Sequence, residues 1–129
     1  MAHARFICRS SRAGSVRLGA PLWRLVGANN RELGRAPATV VNAPSCCGAV
    51  AWLQAKLPAA VGRVKPTGPA NSWTWSVECD GELLAVSGRT YLRQRECQYS
   101  LWQFLAAAAV AAVVEHNGHR LCADEVSVF

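Results

Sequence analysis

Hydrophobic and polar residues alternate strictly in the middle of this chain, and then the period changes. Trp73, Trp75, Val77 and Cys79 fall on one side of a strand, with Thr74, Ser76 and Glu78 on the other. A period of two predicts a strand with one buried face. Asp80-Gly81 follows as a turn pair that accepts positive φ, and Glu82–Val86 predicts the returning arm of a hairpin. Cys97, Leu101, Phe104 and Ala108 then recur at helical spacing, with Trp102, Leu105, Ala109 and Val113 as a second stripe beside them. The predicted helix runs from about Arg93 to Glu115 and must bury two sides. Its unbroken apolar stretch, Phe104–Val114, is 11 residues long, short of the roughly 20 that a bilayer requires.

The first half of the chain carries the same features in the same order. Arg5–Arg9 reads as a short strand, Ser10–Gly19 as a polar turn-like segment and Leu22–Ala28 as a second strand. Asn29-Asn30 makes a tight turn and Arg31–Ala36 the returning strand. Asn42 can cap a helix in which the early Pro44 is tolerated. Cys46, Ala49, Val50, Leu53 and Leu57 form its apolar face, and Pro58 ends it. Val61–Lys65 opens the second round, with Pro66–Asn71 as a loop. Slid by about 51 positions, Leu22–Leu57 lies over Trp73–Ala108. Val26 then meets Val77, Asn29-Asn30 meets Asp80-Gly81, Leu33 meets Leu84, Thr39 meets Thr90, Cys46 meets Cys97 and Leu53 meets Phe104.

Recurrence at this period predicts a duplicated supersecondary unit. The expected fold is α+β: two tandem β-β-β-α repeats, with antiparallel sheets and one helix packed on each. The boundaries fall at 1–58 for the first repeat and 59–115 for the second, followed by a C-terminal tail at 116–129. A module of about fifty residues buries too little surface to stand alone, so the copies share a core or the chain dimerises.

The segments Trp23–Asn30 and Leu33–Ala36, echoed by Trp73–Gly81 and Leu84–Ser87, resemble the YegP family of small bacterial proteins of uncharacterised function. The resemblance covers about residues 4–57 and 60–112, and it implies tandem modules of three antiparallel strands and a helix. It brings no catalytic residues to carry over. Asn30 stands where the family's first turn usually has glycine, and Thr39–Ala43 lacks the aromatic that Tyr91 supplies in the second copy.

Composition fits a folded protein, with 51% hydrophobic and 17% charged residues. Charge changes the picture more. Residues 1–65 hold ten Lys and Arg against Glu32 alone, whereas residues 66–129 hold four basic and seven acidic residues. Such asymmetry predicts a polyanionic partner for the first half, or attraction between unlike halves in a dimer. With Trp23 and Leu25 facing the helix, Arg24 points outward. Arg5 and Arg9 share one side of the first strand, and Arg31 and Arg35 one side of the third. If these sides coincide, an arginine-studded sheet face results, able to contact nucleic-acid phosphates. Trp23, Trp73 and Trp75 are expected in the core and supply no stacking platform there. Arg outnumbers Lys twelve to two in an alanine-rich chain, a bias that a solvated surface in a GC-rich genome also produces.

The six cysteines are expected as reduced thiols in the cytoplasm, since no apolar signal segment accompanies them. The acid-free first 31 residues faintly resemble a transit peptide, but Phe6-Ile7-Cys8 reads as a strand. Cys46 and Cys97 occupy equivalent apolar positions in first helical turns and are expected as small core residues; Cys47, off that face, is the candidate reactive thiol. His116, His119 and Cys122, with Asp124, have the donor types of a zinc site, but Gly118 between the histidines reads as a helix terminator beside solvated cations. Cys122, His119 and Asp124 also match a nucleophilic device in composition, with nothing to fix its geometry. Phosphate-binding Gly-rich loops, paired-carboxylate motifs and nucleotide fingerprints are absent from the sequence.

The expected function is that of a non-enzymatic cytosolic interaction module, working through its sheet face as a homodimer or with a protein partner. It needs no cofactor, metal or membrane, and no small-molecule substrate is identifiable. A nucleic-acid-binding accessory protein using Arg5, Arg9, Arg24, Arg31 and Arg35 is the second reading.

Overall fold

The computed structural model describes residues 3–8, 21–38, 46–68 and 71–114. In chain order these form β1 (Arg5–Cys8), β2 (Trp23–Val26), β3 (Glu32–Arg35), α1 (Cys46–Lys56), β4 (Val61–Thr67), β5 (Ser72–Cys79), β6 (Glu82–Val86), α2 (Gln94–Ala108) and β7 (Ala112–Val114). A single 3-10 turn, Leu57–Ala59, ends α1 at Pro58. The fold is mixed α+β, as expected, but its strands join one sheet in the order β4-β5-β6-β3-β2-β1-β7. Antiparallel pairing between β3 and β6, at Arg35 and Val86, fuses what the sequence presents as two sheets. Each hairpin would otherwise leave a row of unpaired N–H and C=O groups along that edge.

The second helix is shorter than its periodicity predicts. It stops at Ala108, and Val113 and Val114 enter β7 parallel to β1, so the sheet is not wholly antiparallel. β-branched residues fit a pleated surface better than a helix end. Gln54 of α1 helps to close α2, donating from Nε2 to the carbonyls of Ala108 at 2.9 Å and Ala111 at 3.1 Å. Those acceptors would otherwise be orphans of the last turn. Pro66 lies in β4, an edge strand where its missing N–H is harmless. Arg93 precedes α2 and supplies no capping hydrogen bond, consistent with a side chain that carries only donors.

The core lies between the helices and one face of the sheet. Phe6, Trp23, Leu25, Trp75 and Val77 meet Val50 and Leu53 of α1 and Cys97, Leu101, Phe104 and Ala108 of α2. Phe104 packs with both indoles, 6.2 Å from Trp23 and 4.9 Å from Trp75 by ring centroids, while Phe6 meets Trp23 edge-on at 5.2 Å. Gly34 makes room for this cluster: a methyl there would stand 2.6 Å from Phe104 Cδ1 and 2.7 Å from Trp75 Cη2.

The register of 51 positions misplaces the first strand of each hairpin. Val77 is in the core, whereas Val26 is buried on the opposite side, outside the core cluster. Leu25 pairs with Gly34 and Val77 with Ala85, so the first hairpin is one residue longer than the second. One residue reverses the face of every side chain along a strand. Leu25 thus takes the position in its hairpin that Val77 takes in the other, two residues after Trp23 and Trp75 respectively.

The cysteines also differ from expectation. Cys8 and Cys46 form a disulfide that ties β1 to the start of α1, with Cα atoms 6.0 Å apart. Cys47 is disulfide-bonded as well, which removes it as the candidate reactive thiol. Cys8 faces the core beneath the first turn of α1, within bridging distance. Cys79 and Cys97 remain free and buried. Arg9, Asn42, Pro44, His116, His119, Cys122 and Asp124 lie outside the described residues, so the metal and nucleophile readings fall there too. Among the described residues no group of three or more His, Cys, Asp or Glu could hold a metal ion, and no helix is long and apolar enough to cross a membrane.

Candidate functional site

The sheet face away from the helices carries basic residues in register. Ile7 pairs with Arg24, Arg24 with Arg35, Arg35 with Val86, Val86 with Ser76, and Ser76 with Arg63. Partners in register project to the same face, so Arg24, Arg35 and Arg63 lie in one row across β2, β3, β6, β5 and β4. Lys65 stands two residues along from Arg63 and reaches Glu78 at 3.8 Å.

Three of the five arginines singled out by sequence are held by neighbours. Arg35 grips Glu32 with Nε at 2.6 Å and a second nitrogen at 3.0 Å, a two-point pairing that fixes both groups. Arg24 approaches the same carboxylate at 3.6 Å. Glu32 thus offsets part of the charge that the arginines bring. Arg5 is tied to the β2–β3 turn, donating to the carbonyl of Gly27 at 3.1 Å and to Asn30 Oδ1. Arg31 leaves this group and lines a cleft at the β2–β3 turn end of the sheet. Arg63, which completes the row, was missed because its place depends on pairing between the two halves of the chain. Its alternation in Val61–Lys65 was the one sequence signal available.

The cleft has a volume of about 620 Å³ and lies between the β2–β3 turn, the segment after β6 and one face of α2. Arg31, Glu32, Arg89, Tyr91, Glu96, Tyr99, Ser100 and Gln103 are among its lining residues, drawn from both halves of the chain. Asn29 Oδ1 accepts the Arg31 backbone N–H at 3.0 Å, and Asn30 takes φ of 65°, which together set the turn. At the floor, Ser100 Oγ accepts the Trp75 indole N–H at 3.1 Å and bonds to the Tyr91 hydroxyl at 2.7 Å. The Arg89 guanidinium sits 5.2 Å from the Tyr91 ring centroid, where the ring face attracts a cation. Burial in the core pushes the Cys97 thiol up from its ordinary value, so it stays protonated and weakly nucleophilic.

A mostly antiparallel sheet with helices on one face, a basic row on the other and a polar cleft at one end defines a small α+β protein without a built catalytic triad among the described residues. The fold is similar to that of YegP from E. coli, a protein of unknown function solved by solution NMR. That structure superposes with a TM-score of 0.61 over 90% of this chain and 95% of its own, at 11% sequence identity. The likeness shows a YegP-like fold, as the sequence resemblance implied. No protein-family model matches the chain, and none of the curated proteins does.

Proposed function

We propose that the protein is a non-enzymatic binding module that engages a partner through the sheet face opposite its helices. The in-register row Arg24–Arg35–Arg63 carries this reading. Its strands are anchored by a well-filled core, so the arginine positions are presented on a rigid platform. Ser100 Oγ accepts from the Trp75 indole, and Cys97 is buried as a neutral thiol, so both have structural work.

A nucleic-acid partner is the second reading, favoured by basic residues at regular cross-strand spacing. Trp23 and Trp75 are spent in the core, so contact would run to phosphates rather than to stacked bases, with little sequence preference. Fluorescence anisotropy with labelled single- and double-stranded oligonucleotides over a salt series tests it. The expected result is affinity that falls with salt and weakens in Arg24→Gln/Arg63→Gln. Salt-independent binding or none removes nucleic acid and leaves the protein-partner reading, which pull-down by the same pair of proteins then tests.

The duplication belongs here as well. Matching element order, and Trp23 and Trp75 both packed on Phe104, support modules at 1–58 and 59–115. A homodimer is expected to cover the side of α2 that exposes Tyr99 and Trp102, and sedimentation at micromolar concentration tests it. As for location, the Cys8–Cys46 bond favours an oxidising compartment over the cytoplasm expected from the sequence. Non-reducing electrophoresis of protein alkylated in the host cell distinguishes the two.

A further inference from the structure

The cleft that joins the two halves has chemistry of its own, independent of the sheet face. Arg31 and Arg89 bring two positive charges to it. Of the two carboxylates that face it, Glu32 is already engaged by Arg24 and Arg35, which leaves Glu96 as the opposing charge. Glu96 and Gln103 lie along one side of α2, together with the exposed ring of Tyr99. The volume of about 620 Å³ is in the range that holds a small organic molecule.

One end of the hydrogen-bond chain at the floor of the cleft is fixed, because the Trp75 indole only donates. The Trp75 N–H donates to Ser100 Oγ, and the Ser100 and Tyr91 hydroxyls share one further hydrogen bond. Two hydroxyl protons serve a single mutual bond, so one proton is left to donate. Successive hydrogen bonds running the same way reinforce each other. The favoured direction runs from Trp75 through Ser100 to Tyr91, ending on a Tyr91 O–H turned toward an acceptor. Arg89 lies over the Tyr91 ring, its guanidinium carbon 5.2 Å from the centroid, and lines the same cleft. Three donors around an aromatic wall suit an acidic group carried on a flat ring. Glu96 and Gln103 suit N–H groups on the ring itself.

We propose that this cleft binds a small aromatic acid, its phosphate or carboxylate against Arg31, Arg89 and the Tyr91 hydroxyl, and its ring beside Tyr99. Amide-resolved NMR titration of the whole protein with inorganic phosphate, benzoate, phenyl phosphate and adenosine 5′-monophosphate tests it. Saturable shifts are expected for amides of residues 27–33 and 89–103, with at least one ring-bearing acid binding about ten-fold tighter than inorganic phosphate. Binding by the nucleotide alone assigns a nucleotide; binding by benzoate or phenyl phosphate assigns a simpler aryl acid. Arg89→Gln, at an exposed position, is expected to weaken binding about ten-fold, and Tyr91→Phe to weaken it while keeping the ring. Absence of saturation for every probe up to about 10 mM, equal affinity for inorganic phosphate, or unchanged binding in Arg89→Gln overturns the proposal. Shifts confined to Arg24, Arg35 and Arg63 also overturn it, while supporting an anion-binding sheet face.

Discussion

Replacing Gly34 by alanine tests the geometry on which the whole core depends. The added methyl would meet Phe104 Cδ1 at 2.6 Å, Trp75 Cη2 at 2.7 Å and Phe104 Cε1 at 2.9 Å. Carbon atoms prefer about 3.5–4.0 Å, so the rings or the strand must yield by roughly 1 Å. Phe104 and Trp75 are 0% and 1% exposed, and Phe104 also packs on Trp23. Neither ring has a free direction. Overpacking of this kind costs about 1–3 kcal/mol, and the stiffer unfolded chain returns roughly 0.4–1 kcal/mol. A net loss of about 1–2 kcal/mol is expected. Urea unfolding followed by tryptophan fluorescence reads it as a midpoint lowered by about 1 M, with an unchanged slope. Trimming the neighbour separates this cause from a general intolerance of β3. Gly34→Ala with Phe104→Leu is expected to be less unstable than the two single variants sum to. A Gly34→Ala protein as stable as the parent, or strictly additive effects, refutes the reasoning.

Four further outcomes follow from named contacts. Ser100→Ala removes the oxygen that joins Trp75 Nε1 to Tyr91, and is expected to cost about 1–3 kcal/mol in the same assay. Ser76 Oγ is buried without a hydrogen-bond partner, so Ser76→Ala is expected to raise stability by about 1 kcal/mol, visible as a higher Tm. Cys8→Ala/Cys46→Ala opens a loop with a sequence separation of 38; calorimetry should show a loss of about 4 kcal/mol by the loop-entropy relation. The Cys97 thiol is pushed above its ordinary 9.0 by burial, so above about pH 9 the unfolded chain holds fewer protons than the folded one. Stability should therefore fall from about pH 9 upward, and this extra alkaline loss should vanish in Cys97→Ala when urea midpoints are compared.

Much of the secondary structure was legible because it is written in local spacing. Strict alternation in Trp73–Cys79 and the Asp80-Gly81 turn mark β5 and β6, and the Cys97, Leu101, Phe104, Ala108 series marks the buried stripe of α2. The helix end was misjudged since Phe104–Val114 is apolar throughout, and an apolar run alone does not separate a helix from a following strand. The arginine face was legible only in part: alternation put Arg24 outward, but nothing local could reveal that Glu32 reaches both Arg24 and Arg35. The cleft was not legible at all. Arg31 is far from Arg89 and Tyr99 in the chain, and their meeting depends on the packing of α2 against the fused sheet.

The amino-acid sequence by itself determined the class of element at most positions and the α+β character, because side-chain periodicity and turn chemistry act over a few residues. Tertiary structure alone decided how the parts combine: one sheet rather than two, β7 beside β1, a disulfide between Cys8 and Cys46. Those outcomes rest on backbone pairing between distant edges and on distances between atoms, which no local pattern encodes.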